Sequence, residues 1–300
     1  MVFNHPIGVR FPVGPPNYIM KFLRVGNLNE EKPAIIDKNG VIRNLSSIIS
    51  DLDSNTINQN LIETVNKKDL SKFPEIPKNS RIGSCVSKPE KFIGIGLNYR
   101  DHAEETGIKP PSEPIIFIKA NSCISGPNDD VLIPKNSKKT DWEIELGVVV
   151  GKKAQYISKQ SALDYVFGYC VVNDISEREF QLEKSGQWDK GKGCDTFGPV
   201  GPYLVTKDEI IDTQNLYLEL RVNGKIMQKG NTSKMIFNVK HIVSYLSHFM
   251  TLHPGDIIAT GTPSGVGMAR KPQIFLKDGD EMILKIDNLG TQKQKVISIK

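Results

Sequence analysis

The chain has no apolar run approaching the roughly 18 residues a membrane helix requires, and nowhere do five or six Lys or Arg stand together. The first absence argues against a helical membrane span. The second, with no recognisable nucleic-acid module, argues against a nucleic-acid partner. The net charge of +5 comes from 39 basic and 34 acidic residues scattered along the chain, which reads as a solvated surface. The four cysteines (Cys85, Cys123, Cys170, Cys194) show no CxxC spacing and no zinc-like clustering with histidine. They suit a reducing compartment, so a cytoplasmic location is expected. The opening MVFNHPIGVRFPVGPPNYIM lacks the continuous apolar core of a secretory signal, and its prolines and glycines make a poor helix. Residues 1–19 are therefore expected to be a leader or tag outside the fold. Internal repeats and low-complexity segments are absent as well.

What is present is an ordinary globular composition, 38% hydrophobic and 24% charged, long enough for a small domain plus a larger one. From Met20, PAIIDKNGVIRNL predicts a hairpin around Asn39-Gly40, and LSSIISDL a short helix after it. A proline-bearing linker places a boundary near residue 80, giving a small N-terminal domain over 20–80 and a larger one over 81–300. Beyond it, KFIGIGLN, PIIFIKA, EIELGVVVG, VFGYCVVND, LYLELRVNGKIM, DIIATG and DEMILKID read as strands. The fewer helical patterns are YRDHAEETG, SALDYV, ISEREFQLEK and VKHIVSYLSHFMT. Strands outnumber helices without regular alternation, which predicts an α+β, mainly β fold rather than a doubly wound sheet.

In TDWEIELGVVVGKK, alternation puts Trp142, Ile144, Leu146, Val148 and Val150 on one face and Asp141, Glu143 and Glu145 on the other. Carboxylates two apart on a strand stand roughly 7 Å apart and resist burial unless something positive compensates them. With Asp174 at the end of YCVVND they could supply all-oxygen ligands to a hard divalent cation. Spacing alone leaves a water-facing sheet surface open, although the flanking apolar run points to a buried strand. In GIGLNYRDHAEETG, Tyr99 stands where a dinucleotide loop would need glycine. His102 and Glu105 are three apart on one helical face, either a surface ion pair or a dyad able to activate water. Lys119 after PIIFI, Arg178 and Gln181 in EREFQ, Lys192 in a glycine-broken loop that could close over a site, and Thr260 and Thr262 in ATGTPSGVG complete an inventory suited to an anionic, oxygen-rich small molecule. TPSGVG lacks the glycine a nucleophile elbow needs two places before Ser264. His241 and His248 lie on an apolar-periodic helix and are expected in core or surface roles.

The blocks GLNYRDHAEE, PIIFIKANSCISGPND, DWEIELGVVVG, VNDISEREFQ, GKGCDTFGPVGP and IIATGTPSGVG together resemble the fumarylacetoacetate hydrolase superfamily, in its order and over most of residues 90–290. SCISGPND, NDISEREFQLE, WDKGKG and KMIF carry a narrower resemblance to bacterial 2,4-diketo-3-deoxy-L-fuconate hydrolases, a group often labelled ureidoglycolate lyases. The resemblance implies a mixed β-roll with a small N-terminal α/β domain, and a homodimer. It implies Mg²⁺ or Mn²⁺ on Glu143, Glu145 and Asp174, and catalysis by His102, Glu105 and Lys192. Substrate contacts fall on Lys119, Arg178, Gln181 and Thr262. Cys194 stands where many members have Phe, and Asp141 matches no ligand position, so it is expected to end the strand in solvent or a local hydrogen bond. The implied reaction is hydrolysis of a carbon–carbon bond in a 2,4-diketo acid, with 2,4-diketo-3-deoxy-L-fuconate giving pyruvate and lactate. An acylpyruvate hydrolase or an oxaloacetate decarboxylase would use the same metal platform, and a non-catalytic oxo-acid-binding protein is the alternative of another class. A Glu143→Ala substitution is expected to abolish turnover with little loss of folding.

Overall fold

A computed structural model describes residues 20–299, so the leader expected over residues 1–19 lies outside the described residues. The fold is the α+β, mainly β arrangement expected. An 11-stranded sheet packs against a 5-stranded sheet, a 2-stranded ribbon pairs with neither, and the helices are few and short. Among the described residues no helix is long and apolar enough to cross a membrane.

Ile144–Val150 occupies the middle of the large sheet, antiparallel to Val166–Asn173 on one side and Ile257–Ala259 on the other. All three strands are buried along their whole length. Burial on both faces explains why they read as near-continuous apolar runs rather than alternating ones. Phe92–Gly96 follows in parallel, then Ile115–Lys119 at the edge. On the other flank Gly198–Thr206 joins Val166–Asn173, and Lys21–Val25 pairs with it in turn, Phe22 facing Leu204. Lys32–Ile36, Ile42–Asn44 and Glu75–Ile76 extend the same sheet. Residues before position 80 thus share backbone hydrogen bonds with the strand near residue 200. Phe22 and Ile35 enter the main core, while Leu23, Val25, Ala34 and Ile42 form a small cluster of their own.

Both Asn-Gly pairs make hairpins, with Ile36 opposite Ile42 and Val222 opposite Lys225. At the second, Asn223 (φ 48°) and Gly224 (φ 77°) both take the left-handed conformation a two-residue turn of matching twist demands.

Three local expectations are corrected. LSSIISDL makes only turns, Ile48 and Ile49 both donating to the Leu45 carbonyl, and the helix of this region is Gln59–Asn66. Asn58 caps it by accepting the Asn60 N–H, a signal the Ser- and Ile-rich segment lacks. ISEREFQLEK shrinks to a single wide turn over Glu179–Glu183, preceded by the two-residue strand Ser176–Glu177. The glycine-broken stretch around Lys192 is a compact helical turn, Asp189–Lys192, closed into the protein. A Cβ on Gly191 would lie 2.3 Å from the Glu177 carbonyl oxygen, so only glycine lets the turn seat this deeply.

Candidate active site

Glu143 precedes and Glu145 lies within the strand Ile144–Val150, while Asp174 follows Val166–Asn173. The register sets Ile144 opposite Asn173 and Glu145 opposite Val172. Asp174 therefore falls opposite Glu143, whose carbonyl accepts the Asp174 N–H at 2.9 Å. Strand alternation turns all three carboxylates to one face. Although the strand spacing is roughly 7 Å, each carboxylate offers an oxygen within 4.8 Å of the others, and all three residues are buried. This rules out the water-facing reading.

Three cations brought from elsewhere answer that burial. Lys192 Nζ donates to Glu143 Oε2 at 2.7 Å and Asp174 Oδ2 at 2.6 Å. Lys119 Nζ donates to Asp174 Oδ1 at 2.6 Å. Arg178 Nη2 lies 2.7 Å from Glu143 Oε1 and 2.8 Å from Asp141 Oδ2. Burial alone would raise the pKa of Glu143, but Lys192 and then Arg178 outweigh it and hold the group down to about 2. Among the described residues Glu145 has no cation of its own and accepts only the Gly261 N–H, at 2.7 Å. Burial, then the neighbouring Asp174 and Glu143 carboxylates, push its pKa well up. Four carboxylates meet three cations here, and the donors facing one another are hard oxygens. Donor chemistry and the want of a positive partner at Glu145 both fit a divalent cation.

Asp141 corrects an expectation. It is fully buried rather than at a solvated strand end. One oxygen accepts the Arg178 Nε at 2.9 Å, and its carboxylate also takes the Gly267 and Met268 N–H groups at 2.7 and 3.0 Å. The local hydrogen bond expected of it exists too, from the Trp142 N–H. The strand is interrupted between Thr140–Asp141 and Ile144–Val150, which turns Asp141 toward the 267–268 turn.

His102 sits in the helix Arg100–Thr106, with Nδ1 2.8 Å from Glu105 Oε1. Both Glu105 oxygens accept the Gly265 N–H at 2.9 Å, fastening this helix to the ATGTPSGVG turn. That turn needs its glycines. Gly265 has φ 106°, and a Cβ there would lie 2.1 Å from the Met227 carbonyl oxygen. Thr262 Oγ1 donates to the Ile144 carbonyl at 2.9 Å and accepts from Gln228 Nε2 at 2.7 Å. Gln228 Oε1 accepts the Ile144 N–H at 3.0 Å, so one buried amide ties the glutamate strand to the threonine turn.

Seven of the ten residues that the resemblance assigns to the site border one cavity: His102, Glu143, Glu145, Arg178, Gln181, Lys192 and Thr262. Asp174, Glu105 and Lys119 stand behind that lining. Lys119 is fully buried and donates to Asp174 and to the Lys192 carbonyl. Gln181 accepts from Arg178 Nη1 at 3.1 Å, so their helical spacing does bring them together. Sequence reasoning gave no role to Gln228, Phe117 or Trp188. An isolated glutamine carries no motif, and the two aromatics stand in the PIIFIKA and WDKGKG blocks with nothing in their spacing to mark a site.

The fumarylacetoacetate (FAA) hydrolase C-terminal family model matches residues 91–297. A Burkholderia ambifaria protein, whose name assigns it provisionally to the hydrolases, is 54% identical over 92% of this chain and 98% of its own. The structure of a fumarylacetoacetate hydrolase from Exiguobacterium antarcticum superposes with TM-score 0.83 at 31% identity, over 93% of this chain and 100% of that one. Maleylpyruvate hydrolase from Sphingobium sp. SYK-6, solved with manganese(II) and pyruvate, superposes with TM-score 0.77 at 26% identity, over 94% and 100%. With its carboxylate cluster, its His–Glu pair and these matches, the chain belongs to the fumarylacetoacetate hydrolase family.

Proposed function

We propose that this protein is a divalent-metal-dependent hydrolase that breaks a carbon–carbon bond in a 2,4-diketo acid, with 2,4-diketo-3-deoxy-L-fuconate, cleaved to pyruvate and lactate, as its favoured substrate. The observation that carries this reading is the convergence of the His102–Glu105 pair and the Glu143–Glu145–Asp174 cluster on one cavity. The manganese and pyruvate bound by the Sphingobium relative support the same metal and product chemistry. Mg²⁺ is the favoured ion and Mn²⁺ the alternative, held by Glu143, Glu145 and Asp174. Such an ion supplies Lewis-acid polarisation of the 2-oxo acid end.

The remaining work falls to side chains. Glu105 accepts the Nδ1 proton of His102, which leaves Nε2 to take a proton from water. The hydroxide formed adds to the C4 carbonyl, the C3–C4 bond breaks, and its electron pair passes to C3. The proton held on His102 returns to C3, giving pyruvate and the second acid. Lys192 and Gln181 face the charge that develops, and Thr262 shapes the floor with its hydroxyl held by Ile144. Arg178 and Lys119 act by holding Glu143 and Asp174 in place. We also propose a cytoplasmic homodimer, for which light scattering should give twice the 33.4 kDa chain mass.

The test is pyruvate release from a panel of 2,4-diketo acids and oxaloacetate, with Mg²⁺, Mn²⁺ or EDTA. Metal-dependent release, greatest for the fuconate-derived acid, is expected. Release from oxaloacetate alone would make the protein a decarboxylase, and no release from any compound would leave an oxo-acid-binding protein.

A further inference from the structure

Resting on the diketo-acid reading above, we infer that Phe117, Trp188, Leu182 and Ile108 form a subsite for the distal acyl end of the substrate. It selects acids ending in a methyl or short alkyl group over those ending in a hydroxymethyl or a second carboxylate.

All four side chains border the same cavity as the carboxylate cluster. The Phe117 and Trp188 rings lie 5.7 Å apart at 57°, and Lys192 Nζ sits 5.0 Å from the Phe117 centroid. The apolar wall therefore begins where the charged centre stops. Two glycines on one face of Phe92–Gly96 make room for it. A Cβ on Gly94 would lie 2.1 Å from Phe117 Cζ, and one on Gly96 2.3 Å from Trp188 Cζ3. Leu182 and Ile108, 42% and 50% exposed, carry the apolar lining out to the solvent-facing side of the cavity, where a ligand can cover them. The cavity's two cations, Arg178 and Lys192, are already faced by carboxylates. A second substrate carboxylate would find apolar carbon and like charge in place of a counter-ion. The lactoyl end of the favoured substrate terminates in a methyl group and meets this requirement.

Two measurements on the full chain with Mg²⁺ test the assignment. Calorimetry of pyruvate, 2-oxobutanoate, 2-oxopentanoate and 2-oxohexanoate should show affinity rising about fourfold per methylene. Hydrolysis of 2,4-diketo acids should favour a methyl terminus over a hydroxymethyl one by at least about fourfold in kcat/KM. Leu182→Ser should flatten both series. Graded binding without any hydrolysis would sustain the subsite and overturn the hydrolase reading. Hydrolysis with flat binding and no terminal preference would overturn the subsite alone.

Discussion

Glu143 is an anion placed between two buried cations, and its replacement has two separable consequences. Removing it takes from Lys192 and Arg178 one of the two carboxylates each faces in a desolvated cluster, leaving Lys192 with Asp174 alone and Arg178 with Asp141 alone. Losing one member of a buried pair typically costs about 3–5 kcal/mol. Glu143→Ala should therefore lower the urea midpoint as well as abolish turnover, in contrast to the intact fold expected from sequence. An unchanged midpoint would contradict this account of the cluster. His102 is different, because Glu105 keeps its second contact to Gly265 when the imidazole is gone. His102→Ala should reduce kcat by about 10²–10⁴ while Mg²⁺ affinity, followed by calorimetry, stays near that of the parent. A parallel loss of metal binding would make His102 a structural residue.

At the scale of elements, local chemistry was legible where it is self-contained. Asn39-Gly40 and Asn223-Gly224 specify tight turns through backbone preference alone, and the buried strands announce themselves by apolar runs. Gly290–Ser298 escaped notice because its inward positions include Gln292 and Gln294, both fully buried. Gln292 Nε2 donates to the carbonyls of Val171, Pro199 and Gly201, contacts that exist only once the two sheets meet. Gly198–Thr206 was obscured by Pro199 and Pro202. The glycines of FIGIG read as strand residues, but their purpose depends on rings supplied from residues 117 and 188. Gly96→Ala should displace Trp188 and cost about 1–3 kcal/mol through overpacking, with a changed near-ultraviolet tryptophan signal. Retention of that signal and of stability would show that the ring has other room.

Across the whole molecule, ion pairs brace the edge strands of residues 20–80 from within, and Arg81 ties them to the rest. Arg24 forks onto Asp51 (Nε to Oδ1 2.6 Å, Nη2 to Oδ2 3.0 Å), and Arg81 bridges Glu31 and Asp129 at 2.7 and 2.6 Å. Burial would raise the pKa of Asp51, but Arg24 overrides it and the group is lowered. Asp37 is lowered in the same way, burial being outweighed by the Val41 N–H and Arg43. Because both folded-state values lie below the unfolded carboxylate range, their contribution is complete above about pH 4. It is lost as pH falls through the folded values. Thermal midpoints should hold between pH 7 and 5 and drop below about pH 4, and Arg24→Met should shrink that drop. A midpoint insensitive to acid would remove these pairs from the stability of the edge.

The sequence by itself determined the mainly β class, the two Asn-Gly turns, the order of the motif blocks and the carboxylates at 143, 145 and 174. These rest on side-chain alternation, backbone preference and residue identity, which act between near neighbours. Only the tertiary structure decided what neutralises those carboxylates and what surrounds them. Lys119, Arg178 and Lys192 approach from three separate segments, Asp141 turns inward to hold Arg178, and two rings settle on glycines far away in the chain. Whether a charge is buried and which partner meets it are properties of distance in space. Spacing along a chain carries them only where a strand or helix makes the two kinds of distance the same.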